Sequence, residues 1–181
     1  PYVESVRQLC WERPDDCAVI HLTLIPYLSA AGELKTKPTQ HSVKSLQESG
    51  VFPDVLVCRT EYELTEGIRR KLALFCNVQT DSVIQSIDAA TIYDVPKLMK
   101  EEQLDKVVLK KLGLSHTGEA DITNWEEFVY HLNNPKHTVD IALVGKYVEL
   151  KDSYKSISES FIHASSFSRC KAVSYTHLRA H

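Results

Sequence analysis

The apolar run from Cys17 to Ile25, CAVIHLTLI, is nearly continuous and rich in β-formers, a pattern that predicts a strand of a parallel sheet covered on both faces. A second such run is Val55 to Cys58. Between them Gln40 to Glu48 carries Val43 and Leu46 three apart and stops before Gly50, which predicts a short helix and hence a βαβ unit. Thr60 and Glu63 have capping-box spacing, and Leu64, Ile68, Leu72 and Phe75 fall on one helical face, so a second inward-packing helix is expected. Glu61 and Glu63 near its start and Arg69, Arg70 and Lys71 near its end suit the helix dipole, and on this wheel Arg69 and Arg70 point away from the core. Ser82 to Ile87 makes a third strand. Strands alternating with helices predict an open α/β sheet with right-handed crossovers.

After Ile87 the pattern changes. Val95, Leu98, Met99, Leu104, Val107, Val108 and Leu112 sit among charges, as in short surface helices that finish a domain. A linker follows with its own helix: Thr123 and Glu126 are spaced as a capping box, and Trp125, Phe128, Val129 and Leu132 form an i, i+3, i+4, i+7 stripe that Asn133, Asn134 and Pro135 end. Trp125 and Phe128 read as packing, not as a stacking platform for bases. Val139 to Val144 is again strand-like, and the stripe of Tyr154, Ile157 and Phe161, with Asp152 or Ser153 to cap it, opens a fresh α/β unit. Phe167 to His181 shows no clean period, and its end, SYTHLRAH, reads as adaptor-like and outside the fold, the alternative being a natural, poorly ordered tail.

Composition narrows the function classes. In 181 residues, 43% apolar and 25% charged, with mean hydropathy -0.22, the chain is that of a soluble globular protein rather than a disordered or membrane-spanning one. A net charge of -3 is too balanced for the broad basic footprint of a duplex-binding protein, so no nucleic-acid partner is expected. The five cysteines form no C-x-x-C pair, and no secretory signal is visible at the start of the sequence, so reduced thiols in the cytoplasm are the expectation.

The candidate chemistry is local. Gly113 and Gly118 are followed by Glu119 and Ala120, not by the Lys and Ser or Thr of a P-loop, and no nucleophile elbow is present. The stretch Lys35, Thr36, Lys37, Pro38, Thr39, Gln40, His41, Ser42 lies between the first strand and a helix starting near Thr39, where free N–H groups and the positive dipole end favour an anion. Pro38 disfavours helical backbone at Lys37, so Lys35 and Lys37, two apart in extended chain, are expected to project to one side. The hydroxyls of Thr36 and Thr39 would join them on a polyphosphate, and the Gln40 amide would meet a base or ribose. The competing reading is a solvated basic turn before a capped helix. Lys71, at the margin of the apolar stripe, reads equally as a snorkelling side chain. His21 reads as a hydrogen-bonded core residue, and Cys58 and Arg59 end the second strand, where open sheets place ligands, without further distinction.

On these residues the sequence resembles one family, CTP synthase. The blocks are HLTLIPYLSAAGELKTKPTQHSV, PDVLVCR, RKLALFCNV, IYDVP and IALVGKYVELKDSYKS, spread in order from Pro1 to Ser166. The resemblance implies a P-loop, dethiobiotin synthetase-like α/β fold, with residues 1–112 as the C-terminal part of the synthetase (amidoligase) domain. It makes 113–138 an interdomain linker, 139–166 the first βα unit of a class I glutaminase-like domain, and 167–181 a non-native tail. It also implies that Lys35, Thr36, Lys37, Pro38, Thr39, Gln40 and Lys71 bind UTP and the inhibitor CTP, and that Ile87, Asp88 and Ala89 touch the ATP adenine.

By the same resemblance the parent enzyme would phosphorylate UTP with ATP and Mg2+ and aminate it with ammonia from glutamine. GTP would activate it, and a homotetramer would be the assembly. The P-loop and the magnesium ligands would precede Pro1 and the glutaminase catalytic residues would follow Ser166, so no catalytic or metal residue is expected within the chain and isolated activity is not expected. The runner-up is a non-catalytic nucleotide-sensing or assembly module of the same fold.

Overall fold

The computed structural model describes residues 2–115, 118–147 and 150–179, and the chain divides into two compact units, 1–120 and 121–181. Pro1, Val148, Glu149, Ala180 and His181, which belong to the predicted blocks or tail, lie outside the described residues.

The first unit begins with helix α1 (Tyr2–Glu12), which was not expected from the sequence although Val3, Val6 and Cys10 repeat at helical spacing. Three strands, β1 (Ile20–Ile25), β4 (Val55–Thr60) and β5 (Val83–Ile87), form a parallel sheet in the order β1-β4-β5. The expected open α/β architecture is present. After β1 comes a small antiparallel hairpin that the apolar pattern did not reveal, β2 (Tyr27–Leu28) with β3 (Glu33–Leu34). Gly32 turns it at φ +65°, and the N–H groups of Ala31 and Gly32 both donate to the Leu28 carbonyl at 2.9 Å.

Helices α2 (Lys37–Glu48) and α3 (Glu66–Cys76) share one face of the sheet, where Val43, Leu72, Ala73 and Cys76 bury against Ile25, Leu56, Cys58 and Val83. The opposite face is covered by α4 (Val95–Glu101) and α5 (Leu104–Lys111), whose Met99, Leu104, Val107 and Val108 pack on Val55, Val57 and Ile84. That second layer does not cover β1. Its Ile20, Leu22 and Leu24 are exposed, Leu22 at 70%, so the first strand is not covered on both faces and begins at Ile20 rather than Cys17.

Several local expectations change for identifiable reasons. The cap of α3 is Thr65, whose side chain accepts from the Ile68 N–H, because the Thr60 hydroxyl is engaged by Tyr62. The helix therefore starts later than the Thr60–Glu63 box implied, and its buried face ends on Cys76 while Phe75 is 59% exposed. Burial pushes the Cys58 thiol up to about 12 and that of Cys76 up to about 11, which leaves both as apolar packing groups. Arg69 does not point away. It donates to the Val83 carbonyl at 2.7 Å and makes a two-pronged bridge to Glu102 at 2.7 and 2.9 Å, tying α3 to β5 and to the end of α4.

In the second unit, α6 (Thr123–Asn133) carries the expected stripe, but Ile122 holds the N-cap position and the Asp121 carboxylate accepts from the Thr123 N–H and hydroxyl. This helix packs within the second unit, against α7 (Lys155–Phe167). Strand β6 (His137–Gly145) pairs in parallel with β7 (Cys170–Arg179), so the stretch expected to be a tail lies inside this small sheet. Neither Asp152 nor Ser153 caps α7; Tyr154 stands at that position, and its hydroxyl donates to the Lys146 carbonyl. The Ser166 hydroxyl donates to the Phe128 carbonyl at 2.7 Å, joining α7 to α6.

Candidate functional site

Because β1, β4 and β5 are parallel and in register, with Ile25, Thr60 and Ile87 level, their carboxyl ends form one edge of the first unit. The segments leaving that edge are the β2–β3 hairpin with the start of α2, the loop from Thr60 to Thr65, and Ile87–Ala89. Ligands of open α/β sheets bind outside the carboxyl ends of the strands.

The hairpin sets the first lysine. Leu34 packs against the buried cluster, and the Lys35 N–H donates to the Pro26 carbonyl at 2.9 Å, so Glu33 and Lys35 alternate to the side opposite Leu34. Lys35 donates to Glu33 in an ion pair, and the exposed Lys71 of α3 adds its charge to the same carboxylate. The hydrogen bond and charge of Lys35, with Lys71 assisting, hold the Glu33 carboxyl below its usual range. The structure therefore pairs Lys35 with an acidic group, Glu33, which sequence reasoning missed; its place two residues before Lys35 in a hairpin was the available signal.

Lys37 is placed differently. Thr36 is the N-cap residue with φ -85° and ψ -16°, and α2 begins at Lys37 itself with Pro38 in the first turn. Proline needs no N–H partner there, and this outweighs its disfavour toward helical backbone in the residue before it. Lys37 is thus helical, not extended, and does not share an alternating strand with Lys35. It is exposed and makes no ion pair among the described residues.

The two threonines turn inward. Thr39 is fully buried, donating to the Leu24 carbonyl and accepting from the Thr23 hydroxyl, both at 3.1 Å. Thr36 is also buried and accepts from the Gln40 amide at 3.1 Å, so Gln40 is half-buried and committed to the cap. Beyond the hairpin, His21 is half-buried with Nε2 2.9 Å from the Ser42 hydroxyl, and burial lowers its pKa. It is hydrogen-bonded as expected, though not in the core. At the end of β5 the Asp88 N–H donates to the Thr60 carbonyl at 3.0 Å, and Arg59 donates to the Asp88 carboxylate at 3.0 Å, while Ala89 is exposed. Among the described residues no cluster of three or more His, Cys, Asp or Glu is placed to hold a metal ion, and no helix is long and apolar enough to cross a membrane.

Together these features define an open parallel α/β protein with Lys35 and the first turn of α2 at the carboxyl edge of its sheet. The family model described as the CTP synthase N-terminus matches residues 1–114. The chain is 66% identical over 172 residues to the CTP synthase of Flavobacterium psychrophilum, 67% over 165 residues to that of Christiangramia forsetii, and 54% over 171 residues to that of Porphyromonas gingivalis W83. Those alignments cover 94%, 91% and 94% of this chain but only 32%, 30% and 32% of the relatives, so the chain spans about a third of their length. The chain belongs to the CTP synthase family.

The match also corrects the expected placement. It assigns residues 1–114 to the CTP synthase N-terminus, where the expectation made residues 1–112 the C-terminal part of the synthetase domain and put the start of a glutaminase domain at 139–166. The alignments of 172 residues necessarily extend beyond residue 114.

Proposed function

We propose that the first unit supplies part of the pyrimidine-nucleotide site of an ATP-dependent amidoligase that makes CTP from UTP. Glutamine serves as ammonia donor, Mg2+ accompanies ATP, GTP activates, and the working form is a cytoplasmic homotetramer. Lys35 and Lys71 meet the phosphates of UTP or of the inhibitor CTP, with Lys37 adding its charge from the first turn of α2. The N–H groups of Lys37 and Thr39, lying in that turn, have no intrahelical acceptor and complete an anion cradle.

Thr36, Pro38, Thr39 and Gln40 contribute by shaping that turn: Pro38 pre-sets its backbone, the Gln40 amide holds the Thr36 hydroxyl, and the Thr39 hydroxyl ties the turn to β1. Ile87, Asp88 and Ala89 border the adenine of ATP at the neighbouring strand end. The division of the chain is proposed as residues 1–120 for this nucleotide-handling unit and 121 onward for the part that follows it.

The observation that carries the reading is the Lys35–Glu33 ion pair at the carboxyl edge of the sheet, with the charge of Lys71 acting on the same carboxylate. Titration calorimetry of the chain with UTP and with CTP tests it. Lys71→Ala weakens both ligands together by about ten- to hundredfold, the equivalent of a charge-assisted phosphate contact of ~1.5–3 kcal/mol. Affinities unchanged by that substitution refute the assignment.

A further inference from the structure

Resting on that reading, we infer that Glu33 is the internal counter-ion of the site, standing, before any nucleotide binds, where a phosphate oxygen goes and yielding Lys35 to an incoming polyphosphate. Glu33 is then a positioning residue that also sets the affinity. Three observations converge on it. The hairpin places Glu33 and Lys35 on the same side of a short strand whose Leu34 is anchored in the core cluster, so the pair is held by backbone geometry. Lys35 pairs with this carboxylate directly, and the charge of Lys71, on α3, a separate element, adds to the lowering of its pKa. Glu33 is itself exposed, so an anion arriving from solvent can replace it without unfolding anything.

The physical consequence is a balance. With no ligand, the carboxylate offsets the positive charge of Lys35 and keeps its side chain oriented. When a polyphosphate binds, its oxygens supply more negative charge to the same groups, while the displaced carboxylate becomes a nearby repulsive charge. Exposed ion pairs are weak, so the exchange costs little and the site opens readily. A polyphosphate with several charged oxygens gains from both lysines and overcomes the exchange, whereas a singly charged anion does not.

The test is titration of the 181-residue chain with inorganic tripolyphosphate, in the wild type and in Glu33→Gln, Glu33→Asp, Lys35→Ala and the Glu33→Gln/Lys35→Ala double variant. Glu33→Gln binds tripolyphosphate about two- to fivefold more tightly, Glu33→Asp stays near wild type, and the gain shrinks at high salt. In the Lys35→Ala background the gain disappears, because Glu33 acts through Lys35. Equal or weaker binding by Glu33→Gln, while Lys35→Ala still loses affinity, overturns the counter-ion role and leaves the nucleotide site standing. Tightening that persists without Lys35 also overturns it. No binding by either wild type or Glu33→Gln overturns both readings.

Discussion

Strands β1 and β4 lie side by side, run parallel, and carry similar apolar sequences, IHLTLI and VLVCRT, yet they live in different environments. Leu22 is paired with Val57 across the sheet; Val57 is covered by α5-side residues and is buried, whereas Leu22 is 70% exposed. On the opposite face Thr23 and Ile25 of β1 are buried against α2 in the same way as Cys58 of β4 is buried against α2 and α3. A β-rich run therefore announces a strand, but not how many of its faces are covered. That depends on whether a helix returns over that particular strand, and α4 and α5 return over β4 and β5 alone.

Three substitutions break or sharpen this comparison, measured as urea unfolding followed by circular dichroism. The largest effect is expected from Leu56→Ala in β4, where a fully buried side chain leaves a cavity: a loss of ~2–5 kcal/mol. A loss below about 1 kcal/mol would show that β4 is not the centre of the core.

The second is Glu102→Gln, which leaves Arg69 half-buried without its charged partner and costs about 1.5–3 kcal/mol. Burial raises the Glu102 pKa, but the hydrogen bonds from Arg69 and from the Gln85 N–H outweigh it, and the net direction is down from 4.5. Its stabilisation is thus fully present above the unfolded pKa and is lost as pH falls through the lower folded value. The gap between wild type and Glu102→Gln is expected to be constant from pH 7 to about 5.5 and to close below pH 4.5. A gap that closes as pH rises would contradict the bridge. The smallest effect is Leu22→Ala, within about 0.5 kcal/mol, since the side chain is already in water. A cost comparable to that of Leu56→Ala would mean that the exposed face of β1 is covered in solution.

Much of the architecture was legible because the strands and the longer helices have distinct periods: the runs at Cys17–Ile25, Val55–Cys58 and Ser82–Ile87, and the stripe through Ile68 and Leu72, all fall on real elements. The hairpin was not legible, because two strands of two residues each offer no period to read. The candidate site was legible in its residue types but not in its pairing. Lys35 and Lys37 are neighbours in sequence, yet the first-turn proline of α2 puts Lys37 on a helix, while Lys35 stays at the hairpin and pairs with Glu33. The Thr36 and Thr39 hydroxyls look available in a polar loop, and only the packing of α2 on β1 shows them committed inward.

The amino-acid order on its own determined the alternation of strands and helices, the lysine-rich loop after the first strand, and, through its specific blocks, the family. These follow from local periodicity and short-range chemistry, which act between residues close along the chain. The folded arrangement decided which faces of the sheet are covered, that Arg69 spans to Glu102, and that the Thr39 hydroxyl is taken up by Leu24 and Thr23. Those outcomes depend on groups far apart in sequence coming together, and such proximity exists only once the helices have packed on the strands.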